Sequence, residues 1–495
     1  MRQASLPAEN LQAWSHFNNV ELFDTSIEAH IFTEDGVDQG GGLRAKAHHG
    51  EGEPLVAVPL DLVLSKDRVA QCAKSDPRLK ELIEAAASLF QTPRTAVLLF
   101  LVYQMTINSP DNQDPGLKLK TPFADYVQCL PKDIPLPTFY TPEERGLLSG
   151  TTLADALYQK SINLEREFDR LKEATDTIPW CQRVWWDEHT GCLDLGDWKL
   201  ADAVYRSRAM ELPRGAGVGM VPVVDMANHA ADDRYNARFE VDDNAGTFLL
   251  VVRDAKSIND GDAKSINDGD EVTIMYGAGG ACEMAFSYGF IEEHASSARE
   301  MFLSLSIPAD DPLRLAKIRF AQEAPGVRIY VDKSDQVHWD STFVWWACVN
   351  QEDGLEFQVE KTVDGDTELK ASWRDAGLSA DALHSKVLQD DLRDIFVLRA
   401  VVMIQQRVED QGMQLAASEE DYDDTVPDEH NIRRPVYETI GRLRRLELDL
   451  LTRAYETLEA EKAKLLESAT VRTYLERQMH SGVDPTGKYP EDDFS

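Results

Sequence analysis

Basic residues are in short supply. Lys and Arg number 51 against 87 Asp and Glu, a formal net charge of −36 at pH 7. A deficit of that size excludes recognition of nucleic acid through its phosphates, which needs a basic face. It allows long-range attraction of a basic partner, and its plainer consequence is solubility. Cysteine is sparse as well, and Cys72, Cys129, Cys181, Cys192, Cys282 and Cys348 include no CxxC pair. A disulfide framework and a Cys-based structural zinc site are therefore not expected. None of the 11 histidines lies in an HExxH, so zinc-peptidase chemistry has no support and no metal is expected. Long apolar runs are missing too. AVLLFLVY, residues 96–103, is the longest; it falls far short of the roughly 18 residues of a membrane span and reads as a buried helix. The opening MRQASLPAENLQAW has neither an apolar h-region nor an Arg-rich, acid-poor transit composition. The expectation is a soluble intracellular protein, with the cytoplasm as its compartment, the nucleus and plastid as alternatives, and no membrane partner.

What is present is the composition of a globular protein: 495 residues, 43% hydrophobic, with nine Trp. That length suits two domains or three. Residues 20–65 read as short strands and turns around a glycine cluster, Gly40-Gly41-Gly42. From about 66 to 190 apolar residues recur three and four apart, in LKELIEAAASLF, TAVLLFLVYQM and TTLADALYQKSINLEREFDRL, which predicts helices. A Pro-rich link between the second and third ends in a helix start, with Thr141 as cap, Pro142 at the first position and Glu144 able to close a capping box. Residues 218–277 turn to strands. VPVVDM is apolar and β-branched, NARFEV and TFLLVV flank the hairpin turn DDNAG, and EVTIMY follows. Beyond about 300 the pattern is helical. Its longest segment, from Arg434, is expected to be an antiparallel helix within a domain rather than a coiled coil.

Two motifs invite assignments their surroundings do not support. Gly215-Ala-Gly-Val-Gly219 mimics a nucleotide-binding loop, but MELPR precedes it and Pro222 with Val223 and Val224 follow. The strand before and the helix N-terminus after that such a loop needs are both missing. INDGD resembles the start of a calcium loop, yet setting its glycine at position 6 leaves an isoleucine at ligand position 3. A tight turn is the simpler account. His229 alone suggests a hydrogen-bonded structural residue, and Tyr276 and Tyr288 alone suggest ordinary packed aromatics.

Taken in order, a set of segments changes that balance: Gly-x-Gly-Leu at 40–43, GEPLVAVP at 52–59, Ser207-Arg208, VPVVDMANH at 221–229, GDEVTIMYG at 269–277 and SYGFIEE at 287–293. Together they resemble the SET-domain methyltransferases of the Rubisco large-subunit methyltransferase type. The likeness is specific in these segments and architectural beyond about residue 300. It implies an α+β fold: a β-rich SET domain over 20–300, interrupted by a helical insertion at about 66–190, then an all-helical substrate-binding domain over 301–480 and a disordered tail at 481–495. It implies S-adenosylmethionine as cofactor, near Gln39, Gly40, Gly41, Arg208, Asn228 and His229, with Arg208 facing its carboxylate. Tyr276 would be the catalytic tyrosine and also line the cofactor site. Asp225, Tyr235 and Tyr288 would lie near the target side chain, a lysine of a non-histone protein. A histidine target and an inactive SET-fold binding module are the alternatives. One departure stands out: the family often carries Ser-Asn before the glutamate matching Glu283, where this chain has Gly280-Ala281-Cys282.

The chain also repeats AKSINDGD without change, at 255–262 and 263–270. One turn of this form is needed before EVTIMYG, and either copy meets the requirement. An eight-residue slip leaves every strand side chain on its face. Pairing of the second copy would leave Tyr276 in place, whether the first is a tolerated loop, a recent duplication or an error in the gene sequence.

Overall fold

The computed structural model describes residues 1–32, 39–112, 114–117, 121–231, 234–253, 265–361, 367–428 and 431–481. It divides into two compact units. The first comprises residues 1–140, 156–278 and 284–292, and the second residues 141–155, 279–283 and 293–495.

Two four-stranded sheets organise the first unit. One runs Glu21–Leu22, Pro54–Pro59, Thr247–Val252, Ala237–Asp242, all antiparallel. Its last two strands form the expected hairpin. Asp242 Oδ1 accepts the amides of Asn244 and Ala245 at 2.9 and 3.1 Å, and Gly246 takes φ +65° to close the turn. The other sheet runs Thr25–Glu28, Gly42–Ala45, Glu271–Ile274, Asn228–His229. Its first two pairings are antiparallel, and Asn228–His229 joins Glu271–Ile274 in parallel.

The predicted buried helix is Pro93–Asn108, where every residue from Thr95 to Thr106 is buried. It is apolar on all sides because it sits at the centre of this unit's core. The segment VPVVDM departs from the strand expectation. The pairing there is limited to Val218–Gly219 and a single bridge from Met220 to Leu64, and Val224–Met226 is a single 3-10 turn. Pro222 has no amide to give a ladder, and Val223 takes φ 73°, ψ −48°, so the chain turns and satisfies its own groups. Asp225 N–H donates to Val221 O, Met226 N–H to Val223 O and Ala227 N–H to Val224 O.

The second AKSINDGD copy makes the turn before Glu271–Ile274. Ile266 is fully buried and bridges His49, Gly269 takes φ +88°, and Asp270 Oδ2 accepts the Asn267 amide at 2.8 Å. The first copy lies outside the described residues.

In the second unit Arg393–Ala417 and Arg434–Leu466 pack antiparallel, with Gln405 donating to Glu459 at 2.6 Å and Arg444 to Leu415 O at 2.9 Å. The Thr141–Glu144 capping box forms as expected. The all-helical expectation beyond residue 300 needs correcting in one respect. Two three-stranded antiparallel sheets precede the long helices, one from Glu300–Ser304, Gly326–Val331 and Val337–Asp340, the other from Leu355–Lys361, Thr367–Trp373 and Ala376–Leu378. LEFQVEK does alternate apolar and polar residues, with Leu355, Phe357 and Val359 on one face, a strand pattern that the helical reading of this region passes over. The tail expected from 481 lies, from 482 onward, outside the described residues.

Candidate active site

Five consecutive residues, Asp225 to His229, touch every other part of the candidate site. Their sharp turn feeds the two-residue strand Asn228–His229, whose parallel register sets Asn228 opposite Thr273 and His229 opposite Ile274. Tyr276, two residues past the end of that ladder, is thereby brought to the histidine.

The contact is made twice. The Tyr276 backbone amide donates to His229 Nδ1 at 3.1 Å, and the Tyr276 hydroxyl donates to Ala227 O at 3.0 Å. The two rings lie 5.2 Å apart. Tyr288 packs its ring 4.6 Å from Tyr276 and donates its hydroxyl to Tyr276 O at 3.4 Å. Phe290 stands 6.0 Å from His229 and 6.3 Å from Tyr288. His229 Nε2 is 2.9 Å from Glu292 Oε1, with both side chains buried. Burial pushes the Tyr276 hydroxyl well above its ordinary range, so it remains a neutral donor.

On the other side of the turn, Arg208 ends the helix Leu195–Arg208. Its Nη1 donates to Asp225 O at 2.9 Å, lies 3.6 Å from Asp225 Oδ2 and touches Met226 Sδ at 3.4 Å. Tyr126, from the helix Pro122–Cys129, donates to Asp225 Oδ2 at 2.5 Å. Burial raises the Asp225 carboxyl above its usual range. Two buried polar atoms here have no hydrogen-bond partner among the described residues, Asp225 Oδ1 and Arg208 Nε.

The glycine run closes the remaining side. Gly40 takes φ +82° and its carbonyl accepts the Ile31 amide at 2.7 Å, while Ile31 O accepts the Gln39 amide at 2.8 Å. A Cβ on Gly41 would stand 2.6 Å from Met226 Cε, and one on Gly42 would stand 2.9 Å from Asn228 Nδ2. Asn228 Nδ2 in turn donates to Glu271 Oε1 at 2.8 Å. Glycine is needed where the backbone runs this close to the turn. A cradle of bare backbone beside an unpartnered guanidinium nitrogen fits a small zwitterionic ligand with a carboxylate.

Tyr276, His229 and Tyr288 are thus brought together, as are Arg208, Asp225, Asn228, Gly40 and Gly41. Tyr235 stands outside this set. Its ring carries the Arg253 guanidinium 4.2 Å above it. Cys282, where the resemblance led one to look for an amide, is half-buried and has Thr152 and Glu447 as its neighbours, desolvation pushing its thiol up to about 12. Phe290, Glu292 and Tyr126 were not singled out from sequence. The first two lie inside the quoted SYGFIEE, whereas nothing in PFADYVQC marks Tyr126. Among the described residues no group of three or more His, Cys, Asp or Glu is placed to hold a metal ion, and no helix is long and apolar enough to cross a membrane.

No family model matches the chain. Among curated proteins it is 26% identical over 374 residues to "SET domain-containing protein 8" of Schizosaccharomyces pombe, a match covering 74% of this chain and 79% of that one. It is also 26% identical over 329 residues to the chloroplastic ribulose-1,5 bisphosphate carboxylase/oxygenase large subunit N-methyltransferase of Nicotiana tabacum, covering 64% of this chain and 57% of that one. Among solved structures, the SET domain of LSMT bound to lysine and AdoHcy superposes with a TM-score of 0.65 at 18% identity, over 97% of each chain.

Proposed function

We infer that this chain, which has the SET fold of the Rubisco large-subunit methyltransferase type, is an S-adenosylmethionine-dependent protein-lysine N-methyltransferase acting on a non-histone protein. One observation carries this reading: the turn from Asp225 to His229 joins the Arg208 corner, the glycine run and the Tyr276–Tyr288 pair into a single site. Residues 20–300 would carry the transfer and residues 301–480 would hold the substrate protein, in the cytoplasm.

S-adenosylmethionine, when bound, supplies an electrophilic methyl group on a sulfonium. Arg208 would hold its carboxylate through the free Nε, with Gln39, Gly40, Gly41, Asn228 and His229 around the rest and Tyr276 at the reacting end. The protein's part is then positioning, because the amine must approach in line. Tyr276 and Tyr288, ring to ring, form a wall that orients a lysine stem and excludes water. A lysine at its reference pKa of about 10.4 is protonated. Burial against aromatic rings lowers that value and frees the lone pair without a dedicated base. Asp225 and Tyr235 are the further residues assigned to the target side chain. The acidic surface favours encounter with a basic partner.

Incubation with radiolabelled S-adenosylmethionine and a cell extract tests the reading. Labelled protein bands are expected, and the Tyr276→Phe variant is expected to lose them. Mass spectrometry of a band separates lysine from histidine. Donor binding by calorimetry without transfer to any protein would leave a binding module instead of an enzyme.

A further inference from the structure

We propose that Glu292 is a positioning residue for this site, acting through His229 on Tyr276; the proposal rests on the methyltransferase reading above. The sheet ladder ends at Ile274, so the Tyr276 amide has no strand partner. His229 Nδ1 supplies one, accepting that N–H at 3.1 Å. An imidazole nitrogen accepts only when it carries no proton, so the ring proton sits on Nε2. There it faces Glu292 Oε1 at 2.9 Å. The two side chains are only 3% and 9% exposed, which leaves little water to take over either bond. The other tautomer would set two donors face to face at Tyr276 and leave a buried carboxylate oxygen opposite a bare ring nitrogen.

The same imidazole packs against the Tyr276 ring at 5.2 Å and Phe290 at 6.0 Å. Choice of tautomer therefore sets both the backbone and the ring of the tyrosine. Glu292 touches neither donor nor amine in this account. It makes one arrangement of His229 the stable one, and His229 holds Tyr276 where the ladder has already ended.

The test uses the full chain with 15N-labelled histidine, reading the tautomer of His229 from its ring nitrogen shifts and assigning the signals with His229→Gln. Wild type is expected to show the Nε2–H form. Glu292→Gln keeps an acceptor and is expected to keep that form, with transfer within about threefold of wild type, whereas Glu292→Leu is expected to lose the preference and slow kcat roughly 10- to 100-fold with a smaller change in donor KM. A folded wild type in the Nδ1–H form overturns the proposal, and so does a Glu292→Leu protein that keeps its tautomer or its rate. The first of these needs only folded wild type. A wild type in the Nε2–H form that transfers to no protein overturns the methyltransferase reading, and the role of Glu292 with it.

Discussion

A methyl group at position 42 would stand 2.5 Å from Ile31 Cδ1 and 2.9 Å from Asn228 Nδ2. Ile31 is almost fully buried and has little room to withdraw, so Asn228 would give way and its bond to Glu271 would lengthen. Over-packing of this kind costs about 1–3 kcal/mol. Gly42→Ala is therefore expected to weaken donor binding roughly tenfold or more while the chain stays folded, measured by calorimetry with S-adenosylmethionine. An unchanged Kd would separate Asn228 from the donor site. Val223 shows a different economy at the same scale. A β-branched residue at φ 73° carries strain of about 1–3 kcal/mol. Its complete burial among Val221, Val224 and Met220 offsets that, and the turn it forces is what delivers Asp225 to His229.

Among elements, the helix Leu195–Arg208 is held by a buried ionic knot. Asp202 is bonded by Arg94 of Pro93–Asn108 at 2.5 Å, by Lys160 of Thr152–Thr175 at 2.7 Å and by Arg206 at 3.4 Å. Burial alone would raise the Asp202 carboxyl, yet Arg94, Lys160 and Arg206 hold it below its ordinary value. Arg94 also pairs with Glu167 at 2.7 Å, and the Arg206 guanidinium lies 3.8 Å over the Phe286 ring. Removing the central anion leaves the cations gathered around it without their shared partner. Breaking a buried pair costs about 3–5 kcal/mol, so Asp202→Ala is expected to lose that much stability in denaturant unfolding. A loss below about 1 kcal/mol would reduce the knot to surface-like pairs. Because the helix ends on Arg208, the variant also tests whether the donor site depends on this anchoring.

At the scale of the whole molecule the large negative charge already disfavours the compact state as pH rises, and one buried carboxyl adds to it. Glu447, in the second unit, has no exposure and accepts the Thr152 amide at 3.1 Å. Burial raises its pKa from 4.5 to about 7. The folded value lies above the unfolded one, so folding takes up a proton between them. The stability this group contributes is fully present below about pH 4.5 and is lost as pH rises through about 7. The shift corresponds to roughly 3 kcal/mol. Glu447→Gln is expected to flatten the fall in Tm between pH 5 and pH 8 relative to wild type. Parallel curves for the two proteins would show that Glu447 does not titrate with folding.

Local chemistry made much of this protein legible in the chain itself. Helical spacing marked Pro93–Asn108, turn residues marked the hairpin at 237–252, and the capping residues at Thr141 and Glu144 marked a helix start. Such features depend on neighbours within a few positions, and sequence records those directly. The order of short motifs likewise pointed to the SET fold and to Arg208, Asn228, His229 and Tyr276 as one set. Other features depended on partners far along the chain. The parallel pairing of Asn228–His229 with Thr273–Ile274 arises from long-range hydrogen bonding that leaves no periodicity. Tyr126 on Asp225 and Glu292 on His229 join residues 99 and 63 positions apart. A hydrogen bond across such a gap exists only once the backbone between has folded, and for that reason the residue types foretold the chemistry while folding alone placed the groups that orient it.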